Sequence, residues 1–517
     1  MLRVKFLLSF CLCSFIAVAS DLNKGASDAL NASKETELTK ENKARLQNEI
    51  QPSKKDTVTQ KALEKAKNEE FERKFSERGS LFDAMECSLR NNKEILSAQS
   101  ELRAYHEQHV SASAAFRPKV SLNTKYRNSS MKTLRRYENA EDNVRATDEG
   151  YKDKIRSYGI GVNQNLFHGF SDVAALKEVE QGIRAQWSKF EAKKQEVLRN
   201  VAIVYFSLLA KRDEISHLRA LMEAGLNSQS VAEWMYKTGA VKYLDVSQAI
   251  ARVAETEAKL AKAASEYIAY CAQFEELTGY KVPQELTMPK KIFDESITEK
   301  QALEIAKKHN PEIIAARYAY ESAKIAIKKP NRELVPSLDL SVEYDHTYNG
   351  SKRTRNHQSD KLREKGATVS LQMTVPIYDG GVARSEKRKY IDAATKAAVD
   401  LQKTIENVKT QITAVFASMA AAKQSLISAQ KAVEARQVAL NDAEEEYKSG
   451  VKIMKDVLDA QEQLFDAKAI LTKAENDYFS SQCRARALIG RMNETHLKLK
   501  GNGFSYQQHY AKTRKRF

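Results

Sequence analysis

The sequence predicts a mainly α-helical chain with membrane β-hairpins and an internal duplication. Three observations carry this. Only 8 prolines and 18 glycines punctuate 517 residues, and Ala, Glu, Lys, Gln, Leu and Arg fill long stretches between them, the composition of long helices and coiled coils. Segments of the two halves match at one constant offset. Four short runs alternate apolar and polar residues, the period of a two-faced strand.

Taken in order, the chain opens with Arg3 and Lys5, an apolar run from Phe6 to Val18 and the small residues Ala17-Val18-Ala19. This reads as a signal peptide over 1–19. Residues 20–79 are crowded with Lys and Glu, with Phe71 and Phe75 as the only aromatics, and are expected to be disordered because they have little apolar area to bury. Cys11 and Cys13 leave with the signal, and Cys87, Cys271 and Cys483 show no metal-type spacing, so no disulfide framework is expected. No cysteine follows a lipoprotein-like cleavage site, so no lipid anchor is expected. No apolar run of about 18 residues follows the signal, so no transmembrane helix is expected. Such a chain can enter a membrane only as strands closed into a barrel.

The duplication pairs NLFHGF (165–170) with PIYDGG (376–381), YKTGAVKYLDV (236–246) with YKSGVKIMKDV (447–457), Tyr267 with Tyr478, and ELTGY (276–280) with ALIGR (487–491), all 211 residues apart. FRPKVSL (116–122) pairs with LVPSLDL (334–340) at 218. Each half begins with a helix, 80–114 or 296–328, ended by Pro118 or Pro336. Alternating strands KVSLNTKY and SLDLSVEY follow. Charged loops over 127–156 and 347–365 are expected next, then returning strands over 158–167 and 367–378. Two hairpins are too few to close a barrel, so a barrel requires an oligomer.

Long helices are expected over 171–235 and 382–446, each roughly 100 Å at 1.5 Å per residue. Gly239 and Gly450 break them, and second helices run to Gly279 and Gly490, glycine being suited to the left-handed turn at a helix end. The last helix has a heptad seam, Ile453, Ala460, Ala467 and Ala474 with Val457, Leu464, Leu471 and Tyr478. Val246, Val253, Leu260 and Tyr267 repeat the second register. This pattern implies left-handed supercoiling against a neighbour.

With these junctions and turns, above all YKSGVKIMKDVLDAQEQLFDAKAILTKAENDY, residues 80–493 resemble the TolC family of trimeric outer-membrane efflux proteins. The resemblance implies a first TolC-like repeat over 80–290, a second over 291–493 and a basic C-terminal tail over 494–517. It implies a homotrimer whose four strands per chain close a 12-stranded outer-membrane β-barrel, continued by an α-helical periplasmic barrel. Its function is that of a passive exit duct for small molecules or proteins. It works with a periplasmic adaptor (membrane fusion) protein and an inner-membrane pump of RND or ABC type. A secreted coiled-coil surface protein is the alternative reading, and it leaves the hairpins unexplained.

No catalytic constellation emerges, so the chain is read as no enzyme, with no cofactor and no metal. His106 and His109 form H-x-x-H without the glutamate of a metalloprotease motif and are expected on solvated helix. Asp456 and Asp459, three residues apart, share a helix face. In a trimer they supply six carboxylates around one axis, and the family resemblance places such aspartates at the narrowest periplasmic aperture, where they would attract cations. Asp245 stands opposite Asp456 across the duplication, and Gln248 opposite Asp459. The resemblance also assigns Tyr447 and Lys452 to bonds between neighbouring helices at the closed tip, with Asp245 as acidic partner. It assigns the turns with Gly239, Ala240, Val241, Gly450 and Val451 to adaptor docking. The barrel contacts outer-membrane lipid. The charges Lys352, Arg353, Arg355, Lys361, Arg363 and Lys365 suit anionic headgroups, and no nucleic-acid partner is expected.

Overall fold

The computed structural model describes residue 75 and residues 78–138, 144–239, 241–288, 297–330, 335–353, 359–449, 451–499 and 506–514. The signal over 1–19 and nearly all of the 20–79 segment lie outside them. The chain divides after Phe75, and every element below belongs to the second unit, Ser76–Phe517.

A short strand β1 (Arg78–Ser80) leads into α1 (Leu81–Asn91) and α2 (Lys93–Ser113). Strands β2 (Lys119–Glu138) and β3 (Val144–His168) follow, then the long α3 (Ser171–Lys237) and α4 (Tyr243–Thr278). The order then recurs, with β4 (Glu285–Thr287), α5 (Glu299–His309), α6 (Pro311–Ala326), β5 (Ser337–Arg353), β6 (Ser359–Thr374), α7 (Val382–Lys448) and α8 (Met454–Leu488). Two short helices close the described chain, α9 (Glu494–Leu497) and α10 (Tyr506–Arg514).

The expected single helices 80–114 and 296–328 are each two helices. Asn92 and Asn310 interrupt them in extended conformation, with ψ of 125° and 121°. Neither breaks the helical pattern by composition. Each acts through its side chain: Asn92 Oδ1 accepts from Glu94 N (2.9 Å) and Ile95 N (3.2 Å), while its Nδ2 donates to Leu277 O (3.1 Å). Asn310 repeats this with Glu312 N, Ile313 N and Leu488 O (2.8 Å). Both are 3% exposed. Each amide therefore caps one helix and satisfies a terminal carbonyl of another, groups that a helix end otherwise leaves orphaned. Gly490, with φ of 76°, lies so close that an added Cβ would fall 2.2 Å from His309 O. No other residue fits there.

These junctions surround the widest part of the core. α3 buries Val197, Leu198, Val201, Tyr205 and Phe206 almost completely, each large side chain contributing about 1.5–3 kcal/mol. Phe206 stacks on Phe479 of α8 with centroids 5.3 Å apart. Tyr205 Oη donates to Thr287 O (2.8 Å) and accepts from Thr287 N (2.9 Å), pinning β4, which pairs in parallel with β1. In the second half Ala302, Ala306, Ile313, Val408, Ile412, Ala485 and Ile489 form the matching cluster.

The four long strands make one sheet in the order β2-β3-β5-β6, antiparallel throughout. Its cross-strand rows are of two kinds. Val120–Val162–Val342–Val369 and Leu122–Ile160–Tyr344–Ala367 lie on one face, Ser121–Gly161–Glu343–Thr368 and Asn123–Gly159–Asp345–Gly366 on the other. The alternation read from sequence is thus the two-faced surface of this sheet. The expected loops 127–156 and 347–365 are corrected: the ladders run to Glu138 paired with Val144, and to Lys352 paired with Ser359. Charged side chains suggested loop, but a backbone ladder needs no apolar residue where strands stand clear of lipid. At about 3.3 Å per residue the strands reach roughly 50–80 Å, well beyond the 9–11 residues that cross a bilayer.

Helix limits of α3, α4, α7 and α8 fall close to those expected, and most of the seam is buried: Val457, Leu464, Ala467, Ala474 and Tyr478 are all below 9% exposed. Ile453 is corrected. It is the non-helical N-cap of α8 and 64% exposed. An 18-residue stretch within α7 reaches the average hydropathy of a membrane-crossing helix, with 11% of it buried. Alanine and serine between its larger apolar residues give the same average without a continuous apolar run. At 67 residues the helix spans about 100 Å, several times a hydrocarbon core of about 30 Å. None of Cys87, Cys271 and Cys483 forms a disulfide.

His106 and His109 are not solvated but 0% and 5% exposed, because α10 of the basic tail covers them. His106 Nδ1 lies 2.7 Å from His509 Nδ1, Tyr510 packs against both rings, and Glu180 of α3 approaches His109 at 3.8 Å. Burial, and then the neighbouring His509, lower the His106 pKa from 6.5 to about 4.

Two outcomes are expected. Asn310→Ala removes the one oxygen that accepts both capping bonds and the donor to Leu488 O, and lowers stability by about 2–3 kcal/mol, read as a fall in melting temperature. Asn310→Asp keeps the accepting oxygen but sets a carboxylate oxygen against Leu488 O, so it too lowers stability. The unfolded chain takes up a proton on His106 between pH 6.5 and about 4 that the folded chain refuses, so the docking of α10 weakens as pH falls through that window. Amide exchange of Tyr506–Arg514 should rise on acidification, and His106→Leu should flatten that response.

Candidate functional site

The turns joining α3 to α4 and α7 to α8 lie about 100 Å along the helices from the sheet, given the 67 residues of α3 and of α7. Ala240 and Gly450 lie outside the described residues. Gly239 takes φ of 76°, the left-handed conformation expected of it. At the start of α4, Lys242 N donates to Asp245 Oδ2 (3.2 Å), and at the start of α8, Ile453 N donates to Asp456 Oδ2 (3.3 Å). Lys242 and Ile453 have no side-chain acceptor, so only the carboxylate half of a capping box is made. The two aspartates thus share one local duty, closing a helix N-terminus whose dipole favours their charge.

Asp459 has a different partner. Arg252 Nη2 of α4 donates to Asp459 Oδ1, and one heptad on, Lys259 Nζ lies 3.7 Å from Glu462. This pair of bridges ties α4 to α8. Lys452 does not meet Asp245 within the protomer. Its Nζ lies 2.5 Å from Glu446 Oε2, and that hydrogen bond holds the Lys452 pKa above its ordinary value. Tyr447 is half-buried against Leu440, Ala443, Val457 and Leu464. Around the turns the surface is apolar and open: Trp234 is 64% exposed, Tyr243 62% and Val451 76%, and Tyr236 meets Tyr243 at 5.5 Å between centroids.

The structure therefore brings Asp456 and Asp459 to the first turns of one helix and Asp245 to the matching place on another. Tyr447 and Lys452 sit beside the second turn. Sequence reasoning missed Arg252 and Glu446. Arg252 stands one heptad after Asp245, which was the available signal, but its partner lies 207 residues away.

A family model described as "Outer membrane efflux protein" matches residues 85–280 and 302–491. The chain belongs to this family. Its two matched stretches coincide with the two runs of recurring elements. Outer membrane protein TolC of Vibrio cholerae is 25% identical over 415 residues, covering 78% of this chain and 89% of that protein. Alkaline protease secretion protein AprF of Pseudomonas aeruginosa is 22% identical over 438 residues, 82% of this chain and 87% of its own. Among solved structures the Campylobacter jejuni CmeC outer membrane channel superposes with a TM-score of 0.64 at 14% identity, covering 84% of this chain and 89% of that one. The protein is thus an outer-membrane channel of a transport family, not of an enzyme family, and serves as an exit duct.

The Arg252–Asp459 bridge joins side chains 29% and 38% exposed, and solvent screening limits what such a pair contributes. A double-mutant cycle with Arg252→Gln and Asp459→Asn should return a coupling below about 1 kcal/mol. A larger value would mean that the pair is desolvated in the assembled channel.

Proposed function

We propose that three copies of this chain close a 12-stranded barrel from four strands each, and that their helices form a tunnel gated at the turns by Asp456 and Asp459. The observation that carries this is the sheet itself. It has one apolar and one polar face, and in the protomer β2 and β6 each pair on one side alone. Unpaired edges inside a membrane leave backbone groups without partners, and closure through neighbouring chains removes them. The little-buried apolar stretch of α7 supports the same assembly, since a neighbouring helix would cover it. The doubled element order supports an ancestral duplication with repeats over 80–290 and 291–493.

At the tip, each protomer contributes Asp456 and Asp459 from the start of α8, giving six carboxylates around the axis. Such a ring attracts cations and repels anions. Lys452, Tyr447 and Asp245 would lock the closed state through neighbouring protomers, with the Lys452–Glu446 pair exchanged on opening. The exposed Trp234, Tyr243 and Val451 around Gly239, Val241 and the second turn suit docking of a periplasmic adaptor, which links the duct to an inner-membrane pump. The family's description as efflux proteins and the relative named for alkaline protease secretion support both small molecules and proteins as cargo. The duct has no enzymatic step and needs no cofactor.

The test is planar-bilayer conductance of the purified protein beside the Asp456→Ala, Asp459→Ala double variant. A small, cation-selective conductance in the native protein is expected, rising by about twofold or more with loss of selectivity in the variant. Channels indifferent to the substitution would move the gate elsewhere. Absence of channels from a protein that stays soluble without detergent would overturn the barrel.

A further inference from the structure

The charged stretch that reads as loop in the sequence lies on strands, and the sheet register gathers Lys154, Arg156, Lys361, Arg363 and Lys365 on one face. The row after Leu122–Ile160–Tyr344–Ala367 is Thr124–Tyr158–His346–Lys365, followed by Tyr126–Arg156–Tyr348–Arg363 and Asn128–Lys154–Gly350–Lys361. All share the parity of the valine row. The apolar face therefore passes without interruption into tyrosine and then into Lys and Arg. In the row Tyr126–Arg156–Tyr348–Arg363 the two kinds alternate, Arg156 lying over the Tyr126 ring at 5.7 Å and Arg363 over the Tyr348 ring at 5.7 Å.

Three features mark this face. Its apolar part is open, Val120 and Val369 being 69% exposed and Leu122 71%. Its basic part, with Lys152, Lys154, Arg156, Lys361, Arg363 and Lys365 all exposed, contains no acidic residue in those rows. The opposite face at the same height is of mixed sign, with Lys125 and Arg127 beside Asp153 and Glu364. From the Leu338 row to the Tyr348 row the strand advances ten residues, about 33 Å along its length, which a tilt of about 40° reduces to the roughly 25 Å apolar band of an outer-membrane barrel. The tyrosines then stand at the interface, and the cations stand where headgroups begin.

We propose that these rows form a binding surface on the outside of the barrel for phosphate-bearing headgroups of outer-leaflet lipid. Charge complementarity and continuity with the apolar face both argue for a lipid, whose chains the valine and leucine rows would contact while Arg156, Arg363, Lys154 and Lys361 take the phosphate. Arg156 and Arg363 lie two strands apart, about 10 Å, near enough for their guanidinium donors to converge on one phosphate held above the sheet. In a trimer three such surfaces would ring the barrel with anionic lipid. The inference rests on the barrel reading above.

The test reconstitutes the full chain in phosphatidylcholine vesicles and compares the association of spin-labelled phosphatidic acid with that of spin-labelled phosphatidylcholine. The native protein should prefer phosphatidic acid by at least about fivefold, the factor one basic residue near an anionic surface supplies, and high salt should erode the preference. The variant K154Q/R156Q/K361Q/R363Q should lose it. The doubles K154Q/R156Q and K361Q/R363Q, each retaining half the surface, should lower it. K125Q/R127Q, on the opposite face, should keep it. Equal association of the two lipids with the native protein, or a preference that survives the quadruple variant or falls equally in K125Q/R127Q, would overturn the proposal. V369W separates the two readings. Quenching of its added fluorescence by brominated lipid chains places this face in the bilayer, so a missing phosphate preference would then sink the lipid surface alone. No quenching would sink the barrel and the lipid surface together.

Discussion

Two buried amides organise the helical part of this molecule. Asn92 and Asn310 each accept two backbone N–H groups with Oδ1 and donate one bond with Nδ2. Each therefore fixes three helix termini at one point. The long helices must end there, because Leu277 and Leu488 give up their carbonyls to an amide instead of to a further turn. Gly490 makes the same point sterically, since the His309 carbonyl occupies the volume a side chain would need. The core around Tyr205 and Phe206 is packed against these fixed ends, so the direction in which α3 and α7 leave the core is set there and carried undistorted along each rod.

Much of this was legible in the sequence, for identifiable reasons. Glycine at the turns marked the limits of the long helices, and proline before β2 and β5 marked the ends of the helices preceding those strands, because both act through backbone geometry that any context must respect. Heptad spacing gave the seam, which is a property of local periodicity. Asn92 and Asn310 were not legible as breaks. Each sits in a stretch of good helix formers, and its effect comes from a carbonyl 185 or 178 residues away. Their spacing of 218 residues, the offset of the strands that follow them, was the one available signal.

The candidate site shows the same division. Asp456, Asp459 and Asp245 were found because they fall beside recognisable turns. Their partners were not, because Arg252 and Glu446 are defined by reach in space. The outer halves of the strands were misread for a different reason. Alternation was sought in hydrophobicity, while in those halves both faces carry polar and charged side chains. His106 was misread because the tail that covers it lies 403 residues on.

Stability is distributed along the rod in a way that suits a gate. Near the amides, burial is nearly complete and hydrogen bonds are internal, so that region opens only with global unfolding. At the turns the ties are ion pairs: Lys452–Glu446, Arg252–Asp459 and Lys259–Glu462 all join side chains between 29% and 50% exposed. Pairs of this kind contribute about 0–1 kcal/mol each. Several can be broken for less than the free energy of docking one protein surface to another. The helices are meanwhile anchored at Leu277 and Leu488, the far ends of the 36-residue α4 and the 35-residue α8, so small rotations at the core end become larger displacements at the tip. A gate of the kind proposed at these turns would need no hinge of its own. The fixed end supplies the lever, and the weak end supplies the motion.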